Sequence, residues 1–393
     1  MTKTSLRFLT TLALAAIPLV GCGGSSTKHD DLGTGDAAVT GDAGADAAVP
    51  GHDGSLDVPD LMFSGDASAP PIVAADGMWK WIDVDGAVCN DGTPTGIGIN
   101  PGTDKTKLLF YFEGGGACGD YGTCYQLKTA SLGPFGATEF AAHDFTKSTM
   151  DRAVVGNPFA TWTYIYIPYC TGDLHGGVRK VTYTSGTNSA DFSHLGHINV
   201  LRDVDRVVAT YPTLSDVVVS GSSAGGYGAL INYADVRGRW ASAKSYLIDD
   251  SGPPLEETSS TAILSSWIKS WDLINWFQVD CPECVADFSL VLPNVAKRFP
   301  NDRLSLLESL QDQTIRGFYI LSGDQFQASL LKMEADRLDA LTNFKYFFIS
   351  GETHTMLFDY TNATFTSSTT QLATFINDQV TDGAGWASTK PTP

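Results

Sequence analysis

Short runs in which successive positions are apolar, β-branched or aromatic fall at residues 108–112, 162–167, 217–220, 245–248, 318–321 and 346–349. A strand wet on one face alternates polar and apolar, so unbroken runs predict strands buried on both faces, as in a parallel sheet covered by helices. Between and after them, residues 198–210, 227–237, 261–271, 304–311, 325–341 and 369–379 carry helix-like patterns. Strand followed by helix, repeated, predicts right-handed crossovers and an α/β fold: a mostly parallel, doubly wound sheet with helices on both faces. One domain over residues 71–386 accommodates the pattern, with a flexible tail at 387–393. Chemistry in such sheets gathers at the carboxyl ends of the strands.

The first seventy residues break this pattern. Lys3 and Arg7 precede an apolar stretch over 8–20, which is short for a settled membrane span and suits the core of a secretory signal. It ends in Leu19-Val20-Gly21-Cys22, which resembles a bacterial lipobox, so residues 1–22 are expected to be a lipoprotein-type signal with Cys22 lipidated. More than one acyl chain there would anchor the protein stably. Residues 23–70 are rich in Asp, Ala, Gly, Ser and Pro and bury too little apolar surface to offset ordering, which predicts a disordered acidic tether. Nine aspartates against one lysine in this stretch supply much of the formal charge of −19, so the acidity says little about the folded domain. No clustered basic face appears, which argues against nucleic acid as a partner. We expect an exported lipoprotein held at the cell envelope, touching membrane only through Cys22, and a monomer.

Beyond Cys22 stand six cysteines: Cys89, Cys118, Cys124, Cys170, Cys281 and Cys284. An even number in an exported chain reads as disulfides, and six allow fifteen pairings. Zinc at Cys281 and Cys284 would need a second cysteine or histidine pair at suitable spacing, which is missing.

The run Asp216-Val217-Val218-Val219-Ser220-Gly221-Ser222-Ser223-Ala224-Gly225-Gly226 places a valine-rich strand before a Gly-x-Ser-x-Gly motif and a helix-like segment after it. That is the context of a nucleophile elbow, in which the serine stands exposed on a turn too tight for side chains two positions either side. Ser223 is therefore the candidate nucleophile. A phosphate-cradling glycine loop would want a lysine after the glycines, and none follows. The amide of Ala224 is one expected oxyanion donor. A second source is the glycine loop Glu113-Gly114-Gly115-Gly116 at the end of the 108–112 strand.

In α/β-hydrolases the triad runs Ser, acid, His along the chain. His354 is the only histidine after Ser223 and follows a predicted strand, which makes it the candidate base. The acid should also leave a strand end. Asp324, after the run 318–321, is preferred; Asp249 and Asp250, after 245–248, are rivals, and Glu352 would have to fold back sharply. His175 is expected at the pocket rim, and His175 and Asp250 are possible substrate contacts. No metal or cofactor is required by this chemistry.

Cys89-Asn90-Asp91-Gly92-Thr93-Pro94-Thr95-Gly96, Glu113-Gly114-Gly115-Gly116-Ala117-Cys118, Ile167-Pro168-Tyr169-Cys170-Thr171-Gly172-Asp173, Gly196-His197-Ile198-Asn199-Val200 and Gly221-Ser222-Ser223-Ala224-Gly225-Gly226 occur in that order. Together they resemble the pectin acetylesterase and Notum family of α/β-hydrolases, over most of the chain from about Trp79 to Asp359. The resemblance implies a triad of Ser223, Asp324 and His354, and an oxyanion hole of Gly115, Gly116 and Ala224. It implies disulfides Cys89–Cys170 and Cys118–Cys124, leaving Cys281 to pair with Cys284. The family usually carries a bulky aromatic where this chain has Ala117, and its eukaryotic members have a cysteine near the histidine that is missing from Gly351-Glu352-Thr353-His354-Thr355. These departures suggest a bacterial branch and leave the acyl pocket undefined. The expected substrate is an acetylated polysaccharide such as pectin. A lipase-like or polyester-cleaving esterase, and an inactive surface carbohydrate-binding protein, are the alternatives.

Overall fold

The computed structural model describes residues 69–256, 263–273 and 281–391. The expected signal, Cys22 and the tether through residue 68 lie outside the described residues. Ten strands concern the argument: β1 (Lys80–Val88), β2 (Pro94–Asn100), β3 (Lys107–Phe112), β4 (Thr163–Ile167), β5 (Arg179–Ser185), β6 (Asn188–His194), β7 (Asp216–Ser222), β8 (Lys244–Asp250), β9 (Arg303–Ser309) and β10 (Phe344–Ile349). Eight of them form one sheet in the order β1-β2-β4-β3-β7-β8-β9-β10, and β5 pairs with β6 apart from it. From β4 to β10 every neighbouring pair is parallel, while β1, β2 and β4 pair antiparallel at one edge.

Burial on both faces explains the apolar runs. In β3, Leu108, Phe110 and Phe112 join one core while Leu109 and Tyr111 join the other. The first core also takes apolar residues of the helices Gly196–Val208 (α1), Ala224–Ile231 (α2) and Tyr233–Arg239 (α3), and the second takes those of the helix Leu372–Val380. Each fully buried large side chain contributes roughly 1.5–3 kcal/mol, so the two cores are the main force holding the strand ends in place. The mostly parallel, doubly wound sheet is as expected.

Two segments depart from expectation, and they exchange roles. Residues 304–311, which read as a helix, are β9 and the turn after it; residues 318–321, which read as a strand, end the short helix Gln313–Phe318 (α4) and lead into the helix Gly323–Met333 (α5). Leu304, Leu306 and Leu307 are all fully buried in the sheet, which needs apolar groups on both faces. Leucine is a good helix former, but tertiary burial overrides so small a preference. Ile320, by contrast, is 75% exposed, so the apolar look of its segment reflects no strand. The β1–β2 hairpin has no counterpart in the sequence reading, because β1 is largely exposed and carries acidic residues.

Three disulfides are present: Cys89–Cys170, Cys118–Cys124 and Cys281–Cys284. The first ties the β1–β2 connection to the loop after β4; the second closes the loop that follows β3. These are the pairings that the family resemblance implied.

Candidate active site

Ser223 sits between β7 and α2 with φ +60° and ψ −124°, a conformation costly for a residue with a side chain and the mark of a nucleophile elbow. The glycines around it answer to close approach: a Cβ on Gly225 would lie 2.0 Å from the carbonyl oxygen of Phe112 at the end of β3. The Ser223 amide donates to the Asp250 carbonyl at 2.7 Å, which fixes the turn from the β8 side.

The glycine loop after β3 stands over the elbow. A Cβ on Gly114 would meet the Ser222 carbonyl oxygen at 2.4 Å, and Gly116 has φ +74°, open to glycine at little cost. Several partners hold this loop. Tyr169 donates its hydroxyl to the Gly116 carbonyl at 2.9 Å, Cys118 donates its amide to the Gly172 carbonyl at 2.9 Å, and the Trp271 indole donates to the Cys118 carbonyl at 2.8 Å. His175 is part of the same support. It is buried, not at a pocket rim, and its Nε2 lies 2.9 Å from the Glu113 carbonyl oxygen, so that nitrogen carries the proton. Burial pushes His175 down to about 4, which keeps the ring neutral and suits it to a structural role.

His354 lies in the loop after β10. Its Nδ1 is 2.7 Å from Oδ2 of Asp312, a fully buried residue immediately before α4. The other oxygen of Asp312 accepts the amides of Thr314 and Ile315, each at 2.8 Å, so the carboxylate caps α4 and meets the imidazole at once. The carboxylate beside His354 is therefore Asp312 and not the expected Asp324. Asp324 is exposed on α5 and accepts from the Gln311 amide at 3.1 Å. Because residues 303–309 form β9, the strand-end carboxylate that meets the imidazole is Asp312. A period-two reading of Leu304 and Leu306, with Asp312 as an N-cap before Gln313-Thr314-Ile315, is the signal that could have found it.

The two rival aspartates are buried behind the elbow. Asp250 accepts the Ser222 hydroxyl at 2.6 Å and the amides of Met356 and Leu357 at 3.0 Å each, and Tyr111 donates to the Ser222 hydroxyl at 2.8 Å. It thus joins β7 to the loop carrying His354 and, being fully buried, does not face substrate. Burial raises its carboxyl above the ordinary range, against the pull of those donors. Asp249 is also fully buried, beside Gly226 and Gly252, and burial holds its carboxyl well above the usual range.

Two cavities meet at Ser223. One is narrow and apolar, lined by Ala117, Leu264, Trp267, Ile315 and Phe318 among others, with room of about 30 Å³. The other is an open cleft of about 620 Å³ with polar and apolar lining, to which Gly115, Gly116, His354, Glu113, His143 and Phe358 contribute. Ala117 leaves space that Trp267 and Phe318, packed edge to face at 6.1 Å, wall in.

The sheet, the serine elbow after β7 and the histidine after β10 of the same sheet define an α/β-hydrolase fold. The pectinacetylesterase family model matches residues 79–268, just under half of the chain. The chain is similar to palmitoleoyl-protein carboxylesterase notum1a of Danio rerio, 23% identical over 218 residues, which is 53% of this chain and 39% of that protein. It is also similar to palmitoleoyl-protein carboxylesterase NOTUM of Schmidtea mediterranea, 28% identical over 153 residues, 37% of this chain and 27% of that one. The matches therefore span well under half the length of these relatives. The solved structure of the Wnt deacylase Notum from Drosophila superposes with a TM-score of 0.59 at 17% identity, covering 80% of this chain and 96% of that chain, which carries the fold alone. These matches support kinship with the carboxylesterases of the pectin acetylesterase and Notum kind.

Proposed function

We propose that the protein hydrolyses carboxylic esters of short acyl groups, acetate above all, attached to a polyhydroxylated alcohol. The observation that carries this reading is the meeting, at Ser223, of a small apolar pocket with a wide open cleft lined by polar as well as apolar groups. By the same measure a single water needs about 10–15 Å³, so a pocket of about 30 Å³ suits an acetyl methyl and is too small for a long acyl chain. The cleft is left for the alcohol.

In this reading the Nδ1–H of His354 donates to Asp312, which leaves Nε2 to take the proton of Ser223 as its oxygen attacks the ester carbonyl. The amides of Gly115, Gly116 and Ala224 receive the oxyanion; His354 then protonates the departing alcohol, and water releases the acid from the acyl-enzyme. The relatives named for palmitoleoyl removal suggest a long-chain alternative, which the narrow pocket disfavours. An acyl series of p-nitrophenyl esters decides between them. Turnover should peak at acetate or butyrate and vanish in Ser223→Ala; a peak at long chains, or full activity in Ser223→Ala, would sink the proposal. The disulfides agree with an exported protein, and anchoring through Cys22 remains part of the proposal, to be checked by mass spectrometry of the envelope-bound form.

A further inference from the structure

One wall of the open cleft carries side chains that the acyl-transfer chemistry leaves unused. Glu113 accepts the Tyr169 amide at 2.8 Å through Oε2, while its Oε1 lies 3.4 Å from Nε2 of His143. On the other side of the His143 ring, the Tyr166 hydroxyl is 3.4 Å from Nδ1. Phe358 lines the same cleft, 39% exposed, and is supported edge-on by Tyr111 at 5.5 Å. Among the described residues it is the one aromatic ring counted with the exposed large hydrophobic side chains. An exposed ring costs solvation unless a partner covers it, and a ring beside paired donors and acceptors offers both an apolar face and directional hydrogen bonds.

We propose that Glu113, His143, Tyr166 and Phe358 form the subsite for the alcohol half of the ester, and that it takes an uncharged pyranose unit. The sugar's C–H face lies on Phe358, and its hydroxyls meet the Glu113–His143 pair. This inference rests on the ester-hydrolase reading above.

The preference for an uncharged sugar follows from the pair. Burial pushes Glu113 up to about 7 and His143 down from its ordinary value, so near neutrality the imidazole is neutral and the carboxyl is only partly ionised. One donor and one acceptor side by side match a hydroxyl, which both donates and accepts. A uronate carboxylate placed there would meet the ionised share of Glu113 beside a neutral imidazole, with no cation in the pair to offset either charge. Lys128, exposed at the rim, is the one lysine or arginine among the residues lining the cleft.

The test uses three probes on the full-length enzyme: p-nitrophenyl acetate, acetylated xylotriose and acetylated trigalacturonate. In His143→Ala and in Phe358→Ala, the ratio of kcat/KM for acetylated xylotriose to that for p-nitrophenyl acetate should fall about tenfold, mainly through KM, as the loss of one good hydrogen bond or stacking contact implies. The unmodified enzyme should prefer the xylotriose ester to the galacturonate ester. An unchanged ratio in both variants, or a preference for the galacturonate ester, overturns the subsite while leaving the esterase reading in place. Failure of the unmodified enzyme to cleave p-nitrophenyl acetate removes both.

Discussion

The carboxyl ends of β7 and β9 serve the same cleft, and they are built by different means. At β7 the geometry is local: within five residues the glycines admit the Phe112 carbonyl, and Ser223 takes a strained conformation that its own turn enforces. At β9 it is assembled from distant pieces. Asp312 is oriented by the first amides of α4 and by His354, which lies 42 positions further along the chain. A local device writes itself into consecutive residues, whereas an assembled one leaves only an aspartate before a helix. The largest effect should come from breaking the local half. Ser223→Ala should lower kcat by roughly 10⁶-fold with an unaltered melting temperature, since the change removes one oxygen and no packing. Activity within tenfold of the unmodified enzyme would mean that the elbow is not the nucleophile site.

The assembled half is tested by a pair of asparagine substitutions. Asp312→Asn keeps the shape but cannot offset an imidazolium or hold the Nδ1–H tautomer, so kcat should fall by about 10⁴-fold. Asp324→Asn, on the exposed face of α5, should stay within about twofold, as for most surface changes. The reverse order of effects would restore Asp324 as the acid and refute the contact at 2.7 Å as catalytic.

The same contrast explains what could be read from the chain. The sheet was legible because burial on both faces demands unbroken apolar runs, and β3, β4, β7, β8 and β10 all supply them. The elbow at Ser223 and the strand-end place of His354 were legible through motif and chain order. Asp312 was not, because leucines at 304, 306 and 307 serve a strand or a helix equally well and only their neighbours in the sheet decide. A helix at 304–311 leaves 318–321 as the next strand-like run, and Asp324 follows it. The sequence does not distinguish His175 and Asp250 from substrate contacts for a related reason: loop histidines and aspartates look alike whether they face a cleft or support one, and burial separates the two.

Asp250 links the two halves, and its removal should have an intermediate effect. Its carboxylate receives Ser222 from β7 and two amides from the His354 loop, so it sets the distance between nucleophile and base without touching substrate. Asp250→Asn keeps one acceptor oxygen but turns an NH₂ toward donors. Turnover should drop roughly 10- to 100-fold with KM nearly unchanged, a loss typical of misplacing a catalytic group by about an ångström. Melting should also occur at lower temperature, as a buried donor is left unpaired. A rise in KM with kcat intact would instead place Asp250 in contact with substrate, as the sequence had suggested.

The smallest effect concerns how the oxyanion loop responds to pH. Glu113 begins that loop, and burial raises its carboxyl from 4.5 to about 7. A carboxyl with a raised folded value binds its proton more tightly in the native protein than in the unfolded chain. Its contribution to stability is therefore fully present below about 4.5 and is lost as pH climbs to about 7. Each pKa unit corresponds to about 1.4 kcal/mol, and with the partial exposure of the side chain the loss should be on the order of 2–3 kcal/mol. Other buried carboxyls, such as Asp173 at about 6, slope the same way, so the test is a difference. Glu113→Gln retains an acceptor for the Tyr169 amide and does not titrate. Denaturant unfolding between pH 4.5 and 7 should show a shallower decline for this variant than for the unmodified protein, and parallel curves would mean that Glu113 stays ionised and that its proton does not bear on the loop.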